Sequence, residues 1–480
     1  MTTPRMHLSL STKKMAAMLL AAVVLGGCVT AHADQSGGGD VNSADWTSDV
    51  IGVSEMQLSV DYWVNRLKQP SQILASPANI AAFDQNAYAV DQYMIELANY
   101  PETLSAKVIH DEINALSKHY GSDLYGDDGE LLDESGYAQY QANLNLDNLK
   151  ESNPVRFGMV VQRADMRTWP TDDRYFKTLD SKNLDRFQEN GLFPADAVAV
   201  LHESLDGEWL FVQSYNYAAW VRKTAVAYGE RQTILDYKQA SDFLVITGDK
   251  VFTSFNPDVT GVSEVQLDMG IRVPLIKRAA NENSIGGQNP YASYTIELPI
   301  RDADGNLKLE RGLIPRNKDV NVGYLPYTRE NITRQAFKFL GERYGWGHSY
   351  NARDCTGFVS EVYKTFGFYM PRNSGQQGKS TIGENTRFDE SSSQQDKLAA
   401  LSNMDTGDLI YIPGHVMMFV ADVDGKPYVI HDVSGLSYFD TNDDLYVGVL
   451  NGVSITPLLP LQLSEQTSYI DKMYNIKRIR

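Results

Sequence analysis

Tyr344-Gly345-Trp346-Gly347-His348-Ser349-Tyr350-Asn351-Ala352-Arg353-Asp354-Cys355-Thr356-Gly357-Phe358-Val359 is the stretch from which the fold can be read. A loop rich in glycine and aromatic residues runs into an Asp-Cys pair. After that pair, Phe358, Val359, Val362 and Phe366 recur at helical spacing, which predicts a helix over 356–366 with the cysteine just before its N-terminus. Upstream, Ile332, Ala336, Phe339 and Leu340 share one face of a predicted helix over 331–344. Downstream, 408–412, 416–422, 428–431 and 446–450 read as strands separated by turn residues. Helices first and a strand meander afterwards describe an α+β domain.

The chain has two cysteines, Cys28 and Cys355. A thiol at a helix N-terminus feels the positive end of the macrodipole, which favours the thiolate. His415 opens one predicted strand and His431 closes the next, so antiparallel pairing would bring the imidazoles together. A cysteine with a histidine base and a third group orienting that base is the general form of an activated thiol nucleophile. One Cys and two His can also arise in a protein that uses none of them, and a buried cysteine acting as a small hydrophobe is the plain alternative. Asp354 can cap the helix. Its charge would also raise the neighbouring thiol's pKa, leaving much of the activation to His415. Zinc is disfavoured because no Cys or His pair has ligand spacing, and no cofactor is implied.

Three further stretches extend the pattern: Met370-Pro371-Arg372-Asn373-Ser374-Gly375-Gln376-Gln377, Gly407-Asp408-Leu409-Ile410-Tyr411, and Gly414-His415-Val416 with His431 after a strand. With the opening stretch they resemble the NlpC-type papain-like cell-wall cysteine peptidase family, over roughly residues 327–480. The resemblance implies Cys355 as nucleophile, His415 as general base and acid, and His431 as the group orienting His415. It implies an oxyanion site at the Cys355 N–H with help from the Tyr344 hydroxyl, and ion pairing that keeps the thiolate populated at neutral pH. Asp354 would bind the free amine of an N-terminal L-Ala, Ser374 would contact the same dipeptide, Trp346 would line the pocket, and Tyr217 would close it. The implied substrate is a peptidoglycan stem peptide cut between γ-D-Glu and the diamino acid. The alternatives are an amidase or endopeptidase on intact sacculi, or a catalytically retired cell-wall-binding scaffold. His348 and Ser349 depart from the family pattern where relatives have a second glycine and a loop, Thr356 replaces a serine, and Ala219 replaces a glycine.

Working outward, residues 154–230 carry short β-type runs at 159–161, 197–201, 209–213 and 219–221, and read as a small barrel. Residues 240–326 read as a second all-β unit, with strands at 243–247, 271–274 and 294–300 and a hairpin turn at 302–306. These resemble the paired SH3-like domains of γ-D-glutamyl-L-diamino-acid endopeptidases of the same family. Residues 46–150 read as a mostly helical N-terminal domain, with helices at 86–97 and 103–119. His110 and His119 within it read as surface or packing residues. The expected architecture is therefore multidomain: a papain-like α+β catalytic domain behind two SH3-like barrels and a helical segment.

The N-terminus reads as an address. Lys13 and Lys14 precede an apolar run over 15–25 that is too short to span a bilayer. Leu25-Gly26-Gly27-Cys28 resembles a lipobox, making 1–27 a lipoprotein signal peptide, Cys28 the lipidated residue and 28–45 a flexible tether. The alternative is an ordinary signal peptide cut near Ala31-His32-Ala33. The expected location is the cell envelope, lipid-anchored on the periplasmic face of the outer membrane. The net charge of −18 disfavours a nucleic-acid partner.

Overall fold

In the C-terminal part of the chain, a sheet whose two faces are both covered places the chemistry. The computed structural model describes residues 46–180, 182–277 and 283–480. The expected signal peptide over 1–27, Cys28 and the whole of the expected tether over 28–45 lie outside the described residues, and so does the lipid-anchor expectation. Among the described residues no helix is long and apolar enough to cross a membrane.

The strands of this sheet alternate the faces they present. Leu409, Tyr411, Val416, Met418, Val420, Tyr428 and Ile430 pack in one apolar cluster, and Ile410, Ile412, Met417 and Val429 in another. The first cluster takes the helices that carry Ile332, Ala336, Phe339, Phe358, Val359, Val362 and Phe366.

The helices include α1 (Val60–Val64), α2 (Pro77–Val90), α3 (Ala106–Leu116), α4 (Glu134–Asn143), α5 (Arg231–Gln239), α6 (Arg329–Phe337), α7 (Cys355–Lys364) and α8 (Ser374–Lys379). The first antiparallel sheet contains β1 (Arg156–Val160), β2 (Ala164–Arg167), β3 (Gln188–Leu192), β4 (Ala197–Glu203), β5 (Trp209–Gln213), β6 (Ala218–Arg222) and β7 (Val226–Gly229), in the order β7-β1-β4-β5-β6-β2-β3. The next all-β segment holds β8 (Phe243–Ile246), β9 (Arg272–Pro274), β10 (Ser293–Arg301), β11 (Leu307–Pro315) and β12 (Val320–Val322). Strands β9, β8 and β12 form one sheet and β10–β11 a long hairpin. The C-terminal sheet has the order β13-β18-β14-β15-β16-β17, from β13 (Glu384–Arg387), β14 (Leu409–Ile412), β15 (His415–Val423), β16 (Lys426–Phe439), β17 (Leu445–Pro457) and β18 (Asn475–Arg478).

Several expectations shift. The helix expected over 331–344 ends at Phe337, and the chain turns before Tyr344 pairs with Arg353. The helix expected over 86–97 is instead α2, starting at Pro77 with Ser76 as its cap and ending at Val90. The helix expected over 103–119 is α3, preceded by a short strand, Thr103–Ser105, that pairs with Ser152–Pro154. The helical N-terminal segment also lacks a core of its own. Trp63, Ala75 and Ile80 join the catalytic cluster, whereas Ile109, Ile113, Tyr137 and Leu144 pack with Trp169, Phe187, Trp209 and Trp220 of the first all-β segment. Its apolar residues are too few to enclose each other, so they are buried against neighbours. Residues 48–480 form one compact unit.

Candidate active site

Helix α7 begins at Cys355 because Asp354 caps it: the Asp354 carboxylate accepts the Gly357 N–H at 2.9 Å. The first-turn N–H groups at Cys355 and Thr356 have no acceptor within the helix. Cys355 is 7% exposed, and the Val416 N–H hydrogen-bonds its sulfur, which puts the thiol beside the His415–Val416 peptide. Strands β15 and β16 are antiparallel with Met418 opposite Ile430, a register that sets His415 diagonal to His431. His415 Nε2 lies 2.8 Å from His431 Nδ1, and His431 Nε2 lies 3.0 Å from Thr456 Oγ1. These contacts order the tautomers. If His431 Nε2–H donates to Thr456, its Nδ1 accepts from His415 Nε2–H, and His415 Nδ1 is left as the free base. Thr456 was not foreseen; it lies two residues beyond Ser454, the partner of His431 on β17, and no local motif marks it.

The electrostatics correct the expected ion pair. Burial pushes the Cys355 thiol up to about 12, and the Asp354 and Asp432 charges push the same way against the Val416 N–H and Arg372. Burial takes His415 down to about 4, and burial together with the neighbouring His415 takes His431 well below the usual imidazole range. The resting pair is therefore a neutral thiol and a neutral imidazole. The carboxylate capping α7 sits against the same positive helix end that was expected to stabilise the thiolate, and burial removes the rest of that benefit. Asp432 is shifted as well: both of its oxygens are buried without a hydrogen-bond partner, and burial, followed by the nearby Asp354 and Glu342, pushes it up to about 9. It is uncharged at neutral pH, so its charge opposes the thiolate only above about 9.

Asp354 itself is fully engaged. Arg372 contacts its two oxygens at 2.6 and 3.2 Å, Gly347 N–H donates at 3.1 Å and Thr356 Oγ1 at 2.9 Å. Burial alone would raise this carboxyl; the Arg372 guanidinium, His348 and the Gly357 N–H together outweigh burial and hold it well below the usual carboxylate range. Arg372 and the loop already occupy these oxygens, on which the expected role of Asp354 would place a substrate amine as well. Arg372 also donates to Thr356 Oγ1 and Asn190 Oδ1, both at 2.5 Å, tying the site to β3.

The first all-β segment builds the facing wall. Trp346 Nε1 donates to Gln188 O at 3.0 Å, and Gln188 Nε2 donates to Gly347 O at 2.7 Å. Gly347 has φ +57, and a Cβ there would lie 2.8 Å from Gln188 Cγ, so the close approach of loop to strand needs glycine. Tyr217 sits on the turn between β5 and β6, and its hydroxyl donates to Glu189, which also accepts from Thr168 Oγ1 at 2.6 Å. Burial and the Glu189 charge keep Tyr217 protonated. Glu189 was missed in the sequence because it lies in a strand no pattern announced. Tyr344 is 8% exposed, and burial, then the nearby Cys355, raises its hydroxyl pKa, leaving it a protonated donor near the thiol. Ser374 opens α8, half-buried, and its carbonyl accepts from the Tyr474 hydroxyl at 3.4 Å.

His348 is a buried structural residue. Its Nε2 lies 3.2 Å from Glu361 Oε1, and burial takes it down to about 4. Glu361 also holds the buried Arg353, which reaches Glu342 and Asp268 and anchors the loop beneath the site. His119 stacks on Tyr137 at 3.9 Å and His110 is exposed, both far from this cluster in the fold.

Comparison with known proteins agrees with this arrangement. Residues 341–451 match the sequence profile of the NlpC/P60 family, and residues 174–222 match that of the SH3 domain of SH3b1 type. A curated relative, the gamma-D-glutamyl-L-lysine dipeptidyl-peptidase of Bacillus cereus, is 23% identical over 249 residues. That match covers 48% of this chain and 65% of the relative, slightly under two thirds of its length. Among solved structures, an NlpC/P60 endopeptidase from Photobacterium damselae subsp. piscicida superposes with a TM-score of 0.68 at 15% identity, over 87% of this chain and 96% of that one. An NlpC/P60 family protein from Bacillus cereus gives 0.46 at 18% identity, over 67% and 99%. The chain carries an NlpC/P60 domain, a domain of cysteine peptidases, together with an SH3b-type domain.

Proposed function

We propose that the chain is a peptidoglycan peptidase that hydrolyses the bond between γ-D-Glu and the diamino acid of stem peptides bearing a free N-terminal L-Ala. The observation that carries this reading is the Cys355 thiol held at the His415–Val416 peptide, with His415 linked through His431 to Thr456, set against a wall in which Glu189 and Tyr217 face the loop of Trp346. The name of the Bacillus cereus relative supports the bond.

In this account the Cys355 sulfur adds to the γ-carbonyl carbon while its proton passes to His415 Nδ1. His431 holds the imidazolium by accepting from Nε2–H, and Thr456 holds His431. Transferring the proton during attack suits a neutral resting pair better than a standing thiolate. The oxyanion rests on the Cys355 N–H and the Tyr344 hydroxyl. Collapse breaks the C–N bond, the departing amine takes the proton from His415, and a thioester remains. Water then attacks, His415 accepts its proton, and the acid product leaves as the thiol is restored.

With Asp354 committed to Arg372, Glu189 is the carboxylate offered to the alanine ammonium, beside Tyr217, Trp346 and Ser374. The second all-β segment is read as a further SH3-like barrel, 46–150 as an accessory segment, and Cys28 as a lipid anchor to the envelope. The test compares L-Ala-γ-D-Glu-diaminopimelate with its N-acetyl form. Glu189→Gln should raise KM at least tenfold for the free peptide and leave the acetylated one unchanged. Equal cleavage of both peptides by the parent would instead favour action on intact sacculi.

A further inference from the structure

A cavity of about 990 Å³ lies at the other end of α7, where Phe366 and Gly367 form part of its wall. At 1.5 Å per residue the end of α7 at Lys364 is about 14 Å from Cys355, and none of Cys355, His415 and His431 lines the cavity, so the cavity is separate from the catalytic cleft. It opens between α2, α5, the first all-β segment and the linker before α6. Its walls are mostly apolar and aromatic, with the rings of Tyr88, Tyr215, Tyr324 and Tyr369 among them. Tyr215 and Tyr369 meet edge to face at 5.4 Å.

Five charged side chains line this cavity, Asp84, Glu96, Asp196, Lys238 and Arg272, and of these Glu96 is exposed and accepts a hydrogen bond from Asn99 Nδ2. On the α2 side Asp84 accepts one hydrogen bond, from the Tyr369 N–H at 3.1 Å, and among the described residues no cation pairs with it. Away from α2, Lys238 on α5 and Arg272 on β9 also line the cavity. Lys238 donates to Ala195 O at 3.2 Å, and Arg272 donates to Ala240 O while stacking 3.8 Å over Phe243. Arg272 Nε is buried with no acceptor, and among the described residues neither cation has a carboxylate within ion-pair distance. The Asp196 carboxylate holds the Phe193 N–H at 2.9 Å. A half-buried carboxylate lacking a cation and half-buried cations lacking a carboxylate, in the lining of one largely apolar cavity, define a complementary ligand: an apolar body with an ammonium at one end and a carboxylate at the other.

We propose that this cavity binds short apolar peptides with free termini, the ammonium against Asp84 within the tyrosine rings and the carboxylate against Arg272 and Lys238. The size is that of a small-ligand site, and tyrosine faces favour an ammonium. Burial moves Asp84 up to about 7, and burial together with the nearby Arg272 and Lys364 moves Lys238 down against the pull of Asp196. Both are consistent with groups awaiting a counter-charge. The proposal stands apart from the reaction at Cys355.

The test is calorimetric titration of the whole chain with trileucine, N-acetyl-trileucine and trileucine amide, before and after carboxymethylation of Cys355. One saturable site for trileucine is expected, unaffected by the carboxymethyl group. Acetylation and amidation should each weaken binding at least tenfold. The acetylation penalty should vanish in Asp84→Asn, and the amidation penalty should shrink in Arg272→Gln. The peptide series on the unmutated chain decides the matter even if a variant fails to fold. Absence of saturable binding, equal affinity for all three peptides, or loss of binding on carboxymethylation would each overturn the proposal.

Discussion

Replacing Arg372 by Met keeps most of the side chain's length and removes the charge that balances Asp354. The two groups are 6% and 9% exposed and 2.6 Å apart, so the variant leaves a buried carboxylate whose cation is gone. Breaking a buried pair in this way costs about 3–5 kcal/mol. At about 2–4 °C per kcal/mol for a domain near this size, the catalytic domain should melt on the order of 10 °C lower. The sign of the pH dependence follows from the direction of the shift. In the parent, Asp354 is held below its unfolded pKa, so its stabilisation is full above the ordinary carboxylate range and is lost as pH falls through the folded value. In Arg372→Met the carboxyl is raised instead, so folding is penalised at neutral pH and relieved as the group takes up a proton. The deficit should therefore be largest at neutral pH and narrow toward pH 4, and Asp354→Asn in the same chain should restore part of it. Differential scanning calorimetry from pH 4 to 8 measures this. An unchanged melting temperature, or a deficit independent of pH, would refute the placement of charge at the head of α7.

Three further outcomes follow from the same geometry. Thr456→Val removes the hydrogen bond to His431 Nε2, worth about 0.5–1.5 kcal/mol, so kcat should fall about 2- to 13-fold with KM unchanged. Because the thiol is pushed up to about 12 and His415 down to about 4, alkylation of Cys355 by iodoacetamide should keep rising with pH through pH 9. A plateau beginning near pH 5 would mean a standing ion pair. Gly347→Ala puts a Cβ 3.0 Å from the Glu189 carbonyl carbon at φ +57, costing about 1–2 kcal/mol in backbone strain alone. The displaced Trp346 loop should raise KM more than it lowers kcat.

The parts of the site that could be read from the sequence are those encoded locally. Cys355 at the head of a helix, and His415 and His431 on neighbouring strands, are set by short-range patterning, and β15 and β16 bring the imidazoles to 2.8 Å. Long-range pairings were not readable. Arg372 lies 18 residues from Asp354, and nothing in its own stretch shows that it would take up that carboxylate. Glu189 and Thr456 belong to strands whose register only the folded sheets reveal. The thiol's electrostatics were misjudged for a related reason: the helix end is visible in the sequence, but burial and the approach of Asp432 are not. The helical segment was misjudged as a domain because helical spacing predicts an apolar face but not the surface that face will cover.

The central claim is tested most directly by mass spectrometry of L-Ala-γ-D-Glu-diaminopimelate incubated with the parent chain and with Cys355→Ala. The account predicts L-Ala-γ-D-Glu and free diaminopimelate from the parent, and intact peptide from the variant. The same products at the same rate from both, or cleavage by the parent at another bond, would contradict it.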